Sequence, residues 1–210
     1  YEWRLVPAGN NPNTGVIQQG SVAHPTNNVT ITGLTPATSY SLYVRSICTP
    51  GDTANFTAAT TFITPCTPFT VPWTEDFEAI INANNELNPP TCWDRSLITG
   101  NQWRSYTTPI RNNIGARSGT DYMYAQWSSN AWLYTPGIQL NAGTTYEFKF
   151  WYVNTDVTNP GLSISVAYGT NPTAAAMTTP LGTLNNTTNT TYDLFTVQVN
   201  PTVSGVYYFG

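Results

Sequence analysis

Thr145-Tyr146-Glu147-Phe148-Lys149-Phe150-Trp151-Tyr152-Val153 places a large aromatic side chain at every second position. Successive side chains of a strand point to opposite faces. Tyr146, Phe148, Phe150 and Tyr152 therefore share one face, and Glu147, Lys149, Trp151 and Val153 the other. The stretch predicts a β-strand with one wholly aromatic face and one mixed face. Working outward, runs rich in Val, Ile, Thr, Tyr, Phe and Trp lie near Glu2–Val6, Val29–Thr32, Tyr40–Ile47, Phe56–Phe62, Tyr122–Trp127, Leu162–Tyr168, Leu194–Val199 and Val206–Phe209. Clusters of Gly, Pro, Asn and Asp separate them at the spacing of a sandwich. No segment carries a sustained helical period; Ala79–Leu87 has room for a turn or two. The chain reads as all-β.

Composition narrows the function. Of 210 residues, 36 are Thr and 22 are Asn, and only 9% are charged, against about 25% in an average soluble domain. Lys149 is the sole lysine and His24 the sole histidine. A net charge of −4 with seven basic residues cannot form the cationic footprint of a nucleic-acid binder. No stretch approaches the ~20 apolar residues of a membrane-spanning helix. Aromatic content of 13% supplies core material that a disordered chain lacks. Low charge and abundant Thr and Asn suit a secreted or surface-displayed protein, and three cysteines are compatible with that setting. The chain opens at Tyr1 without an initiator Met and closes on Val206-Tyr207-Tyr208-Phe209-Gly210, which reads as mid-strand. Both ends predict a segment of a longer protein.

Two blocks meet at Thr64-Pro65-Cys66-Thr67-Pro68, where two prolines predict a semi-rigid junction. In the first, Gly33-Leu34-Thr35-Pro36-Ala37-Thr38-Ser39-Tyr40 reads as a sandwich corner, the Tyr hydroxyl bonding back to the loop backbone. With Tyr43-Val44-Arg45 and Thr61-Phe62-Ile63-Thr64, residues 1–65 resemble a fibronectin type III domain (an Ig-like sandwich) entered at its third strand. The second block carries Glu75-Asp76-Phe77-Glu78, Pro89-Pro90-Thr91-Cys92-Trp93, Trp103-Arg104, Ser118-Gly119-Thr120-Asp121-Tyr122 and Trp132-Leu133-Tyr134-Thr135-Pro136-Gly137-Ile138-Gln139-Leu140. In this order, residues 66–210 resemble the cleaved-adhesin or choice-of-anchor J jelly roll, a relative of the MAM domain common in surface proteins of the Bacteroidetes. The resemblance covers most of residues 68–210, and the family continues past Gly210 by a further strand or two.

Catalytic groups are scarce. A nucleophile needs an oriented base, and His24 stands in a polar loop before Pro25. Zinc needs clustered Cys and His, and no glycine motif cradles phosphate. Asp76 and Glu78, two apart on an expected strand, face one side and not each other across a cleft, as glycoside hydrolysis requires. The chain is read as no enzyme. The resemblance implies a structural calcium on Asp76, Glu78 and Asp121; the alternative is a solvated acidic edge.

Exposed aromatics are the remaining candidates. Flat Trp faces stack on pyranose rings, with Asn, Gln and Arg bonding the hydroxyls. Trp103 and Trp127 stand between polar residues, with Arg104 and Gln126 as polar partners and Arg111, Arg117 and Asn130 nearby. Trp93, Trp132 and Trp151 are read as core. Cys48, at the far end of a hairpin formed by Tyr40–Ile47 and Phe56–Phe62, lies roughly 30 Å from Cys66 at ~3.3 Å per residue. Cys66 and Cys92, flanking the second block's opening strand, are the better pair; three reduced cysteines are the alternative. Asn-x-Thr sequons begin at Asn28, Asn55, Asn185, Asn186 and Asn189, and Asp52-Thr53-Ala54 resembles an O-glycosylation site of secreted Bacteroidetes proteins, at Thr53.

These features read as a cell-surface adhesin segment that binds a glycan or protein ligand or serves as a display stalk. The resemblance implies export by the type IX route. Two alternatives stand beside it: a fibre subunit that polymerises by β-strand exchange between copies, and accessory domains of a secreted hydrolase.

Overall fold

The computed structural model describes residues 1–49, 51–79, 89–110, 112–155, 163–185 and 187–210. The chain divides into two units, Tyr1–Thr67 and Pro68–Gly210, two residues beyond the expected Pro65/Cys66 boundary. Both are built of β-strands; one short 3-10 turn, Ala174–Ala176, is the helical element among the described residues. The helical turn expected over Ala79–Leu87 lies outside the described residues except for Ala79, and Arg111, Asn186 and Leu162 lie outside them as well.

In the first unit, β1 (Glu2–Pro7), β2 (Gln18–Ser21), β3 (Ser39–Arg45) and β6 (Thr60–Ile63) form an antiparallel sheet in the order β2-β1-β3-β6. A hairpin of β4 (Ile47–Thr49) and β5 (Asp52–Thr53) follows β3. Leu5 and Val6 are both buried, as are Tyr40 and Ser41. Neighbours on a strand face opposite ways, so the sheet centre is covered on both sides. The corner before β3 is closed by the backbone N–H of Thr35, which donates to the Tyr40 hydroxyl at 3.0 Å. Thr64 ties the same corner, its hydroxyl donating to Thr35 O at 2.6 Å and accepting from the Thr38 N–H at 3.0 Å. On the sheet surface Glu2 bridges Arg4 at 2.9 Å and Arg45 at 2.6 Å. Both guanidinium groups lie over the Phe56 ring, at 5.0 and 4.6 Å. The hydrogen bond from Arg45, foremost, holds the Glu2 carboxyl below the ordinary carboxylate range.

Two expected strands are corrected here. Val29–Thr32 forms no strand: no β-strand partner pairs with it, and Val29 stays 45% exposed. The Phe56–Phe62 run contributes only Thr60–Ile63 to the sheet. Thr57 still bonds Val44 through its N–H at 2.8 Å and its hydroxyl at 3.3 Å, one residue out of step with the β3–β6 register that pairs Leu42 with Thr60.

The second unit carries β7 (Asp94–Thr99), β8 (Arg104–Tyr106), β9 (Tyr122–Tyr124), β10 (Asn130–Tyr134), β11 (Ile138–Leu140), β12 (Tyr146–Tyr152), β13 (Ile164–Gly169), β14 (Thr179–Leu184), β15 (Asp193–Val199) and β16 (Gly205–Phe209). One sheet runs β11-β16-β13-β14. Phe69 extends it in parallel beside Ile138, its N–H donating to Gly137 O and its C=O accepting from Gln139, both at 2.8 Å. Against this sheet packs the β12–β15 ribbon, seven residue pairs in unbroken register. The alternation read from β12 is present: Tyr146, Phe148, Phe150 and Tyr152 are partly buried, and Glu147, Lys149 and Trp151 are exposed. Phe148 stacks on Phe209 at 4.5 Å between centroids and 10° between planes. Ile138, Leu140, Tyr168, Val199 and Phe209 complete the core between the two layers, as in a β-sandwich. β7 pairs with β10, and β8 with β9. Cys66 and Cys92 are disulfide-bonded, and Cys48 is a free, exposed thiol.

Candidate functional site

The Tyr122–Trp127 run forms a strand only to Tyr124, after which the chain turns and presents Trp127 to solvent, 63% exposed. Local backbone geometry fixes this turn. Ser128 takes a left-handed conformation (φ +57°). Gly100, at φ +85°, lies so close beneath it that a β-carbon there would stand 1.8 Å from the Ser128 carbonyl oxygen. Asn101 donates to the Trp127 carbonyl at 3.2 Å, and the Trp103 indole N–H donates to Ala131 O at 3.1 Å. Two loops, 99–103 and 125–131, are thereby laced together. Trp103 is half-buried and serves as the lacing. Trp127 is exposed, and half-buried Gln126 precedes it.

Arg104 belongs to a different face. The β8–β9 register pairs Arg104 with Tyr124 and Tyr106 with Tyr122; residues directly opposite on antiparallel strands share a face. The result is a ladder in which Tyr106 meets Tyr122 at 6.3 Å and Tyr124 edge-on at 5.5 Å. Arg95, whose guanidinium donates to Trp103 O at 2.9 Å, stands beside Arg104. Burial first, and the Arg104 charge, lower its pKa, with Asp94 opposing. At the other end the Tyr122 hydroxyl donates to Thr108 O at 2.7 Å. Burial, then Tyr192, Tyr106 and Tyr124, push its pKa up to about 12. Tyr134, Tyr152 and Tyr192 are raised too, burial leading in each. The folded chain thus keeps these phenols neutral where the unfolded chain ionises, near pH ~10. Their stabilisation is complete below that pH and is lost as pH climbs towards about 12, the value for Tyr122. Alkaline titration followed by phenolate absorbance should show a late-ionising tyrosine class, with unfolding inside that window.

Trp151 corrects the reading of it as core: it is 45% exposed. It stands on the charged face of β12, outside the layer that Phe148 and Phe150 bury. Trp93 and Trp132 are half-buried. Trp93 packs on Phe77 at 5.2 Å and Trp73 at 6.1 Å, and its indole N–H donates to Glu75 at 3.1 Å. Trp132 stacks on Tyr134 at 6.0 Å.

The carboxylates expected to hold calcium do different work. Asp76 and Glu78 lie on a turn and not on a strand, because Phe77 takes φ +66° and Asp76 accepts the Glu78 N–H at 3.1 Å. The Glu78 carboxylate reaches the Gly119-Thr120-Asp121 turn. It accepts the backbone N–H groups of Thr120 and Asp121, both at 2.9 Å, and the Thr120 hydroxyl at 3.1 Å. The bond from Asp121, then that from Thr120, lowers the Glu78 pKa. Asp121 is buried and accepts the same hydroxyl at 3.0 Å. Among the described residues no three acidic, His or Cys side chains form a metal-holding group. The Glu78 carboxylate is thus engaged by three donors, two on Oε1 and one on Oε2, and works as a cap on the 119–121 turn. Calcium or EDTA is expected to move the melting temperature by less than about 1 °C; a rise of several degrees with calcium would restore the ion.

No protein-family model and no curated protein matches the chain. Among solved structures the chain is similar to the K1 cleaved adhesin domain of Lys-gingipain from Porphyromonas gingivalis W83. The two are 14% identical with a TM-score of 0.41, over 60% of this chain and 82% of that one.

Of the residues expected to bind ligand, the fold gathers Trp103, Gln126 and Trp127 in one loop cluster and assigns Arg104 to the tyrosine ladder. Thr53 is exposed, on β5 of a short hairpin and not in an open loop.

Proposed function

We propose that the chain is a non-catalytic segment of an extracellular adhesin, binding a glycan through the loop cluster that presents Trp127. The supporting observation is the 63% exposure of that indole on a turn locked by Gly100, Ser128 and Asn101. A Trp held outside the core by its backbone leaves most of its apolar area in water, which is the character of a recognition surface. Gln126 and Asn130 flank it with amides suited to sugar hydroxyls, and the indole face suits the apolar face of a pyranose. Low net charge and scarce lysine agree with an extracellular setting and a neutral ligand.

A glycan array on the intact chain, followed by calorimetry on its best ligand, tests this. Trp127→Ala should weaken binding at least about tenfold, near 1.4 kcal/mol. As a surface change it should alter stability by no more than about 0.5 kcal/mol. An array without hits, or a ligand indifferent to Trp127→Ala, would overturn the assignment.

A further inference from the structure

The β12–β15 ribbon turns a second, separately built surface to solvent. Its register sets Trp151 opposite Leu194, Lys149 opposite Thr196 and Glu147 opposite Gln198, and all six side chains are exposed. At ~3.4 Å per residue and ~4.8 Å between strands, this is a flat strip about 14 Å long. Across its Trp151 end lies Arg117, its guanidinium 3.8 Å from the indole centroid. The segment carrying Arg117 is tied down: the Tyr192 hydroxyl donates to Gly115 O and the Asn112 amide to Thr155 O, both at 2.7 Å.

The charges on the strip are unevenly satisfied. Lys149 is neutralised by Glu147 at 2.9 Å. Arg4 and Arg45 of the first unit are both held by Glu2, and Arg95 donates to Trp103 O. Arg117, among the described residues, makes no ion pair and donates no hydrogen bond; its contact is with the Trp151 ring. A guanidinium whose carbon lies 3.8 Å from an indole centroid and whose N–H groups are not donated elsewhere among the described residues can turn its planar fork to a carboxylate bidentately.

We propose that this strip binds a carboxylated sugar, with Arg117 taking the carboxylate, Trp151 and Leu194 the apolar ring face, and Thr196 and Gln198 the hydroxyls. Charge complementarity selects this occupant. The strip offers one open cation beside an internally neutral Lys149–Glu147 pair. A ligand with one carboxylate next to uncharged hydroxyls fits that pattern, whereas the successive carboxylates of an acidic peptide would run into Glu147. The surface is independent of the Trp127 cluster.

Calorimetry on the intact chain at low salt tests it with trigalacturonate against its neutral methyl ester, and 3′-sialyllactose against lactose. At least one acidic sugar should bind ten or more times tighter than its neutral counterpart; which one does so separates uronate from sialoside. Arg117→Ala and Arg117→Gln should each remove that preference, and Arg117→Lys, which keeps the charge without the fork, should lose several-fold. If neither acid is preferred, or if the preference survives in whichever Arg117 variant retains the parent melting temperature, the proposal is overturned.

Discussion

Phe209→Ala is expected to lower the melting temperature of the Pro68–Gly210 unit by about 10 °C, and its stability by about 3–5 kcal/mol. Phe209 is 6% exposed and is where the two layers of the sandwich meet. Its ring stacks on Phe148 of the ribbon at 4.5 Å and on Tyr168 of its own sheet at 5.8 Å. Its backbone N–H donates to the Thr135 hydroxyl at 3.0 Å, and its carbonyl accepts the Thr135 N–H at 2.8 Å. Those backbone bonds hold the strand in place after truncation, so the site cannot collapse and the cavity persists. Leu194→Ala is the matched control, an aliphatic residue 38% exposed on the opposite face of the ribbon, expected to cost under about 1 kcal/mol. Thermal unfolding of both variants checks the pair. Equal losses would mean that the ribbon buries the face assigned here to solvent.

Gly100→Ala is expected to cost about 2–5 kcal/mol and, unlike Phe209→Ala, to change binding as well. Two penalties combine. A residue with a β-carbon is strained at φ +85°, by about 1–2 kcal/mol. The new methyl would also stand 1.8 Å from the Ser128 carbonyl oxygen, a backbone atom that gives way only if the 125–131 turn moves, and such overpacking adds about 1–3 kcal/mol. Moving that turn displaces Trp127. Melting temperature and glycan affinity should therefore fall together in Gly100→Ala, whereas Trp127→Ala loses affinity alone. A Gly100→Ala protein with unchanged melting temperature would show that the two loops are not locked as described.

Part of the site was legible before the fold was known. Trp127 stands among Gln126, Ser128, Ser129 and Asn130, and a large aromatic in so polar a run rarely has a core to enter. Trp103 stands in an equally polar run, yet its indole N–H found Ala131 O, a carbonyl 28 positions away. On the expected strand Asp76 and Glu78, two apart, would share one face. A left-handed Phe77, which no local pattern announces, sends Glu78 instead to cap Thr120 and Asp121, more than 40 positions on.

The sequence by itself determined that this protein is all-β, that a tyrosine corner introduces β3, and which side chains of β12 lie together. These follow from backbone geometry acting over a few residues: the two-residue repeat of a strand, and a Tyr five positions from the N–H it accepts. The tertiary structure alone decided which of the two β12 faces is inside. Both faces carry aromatic side chains, so local pattern could not rank Trp151 against Phe148. Phe148 is buried because β16, some 60 residues later, brings Phe209 onto its ring. Trp151 stays 45% exposed among the described residues, and Arg117 from a distant loop lies on it instead. A side chain's face is set by its neighbours in the chain, but its burial is set by whatever the rest of the chain lays against that face.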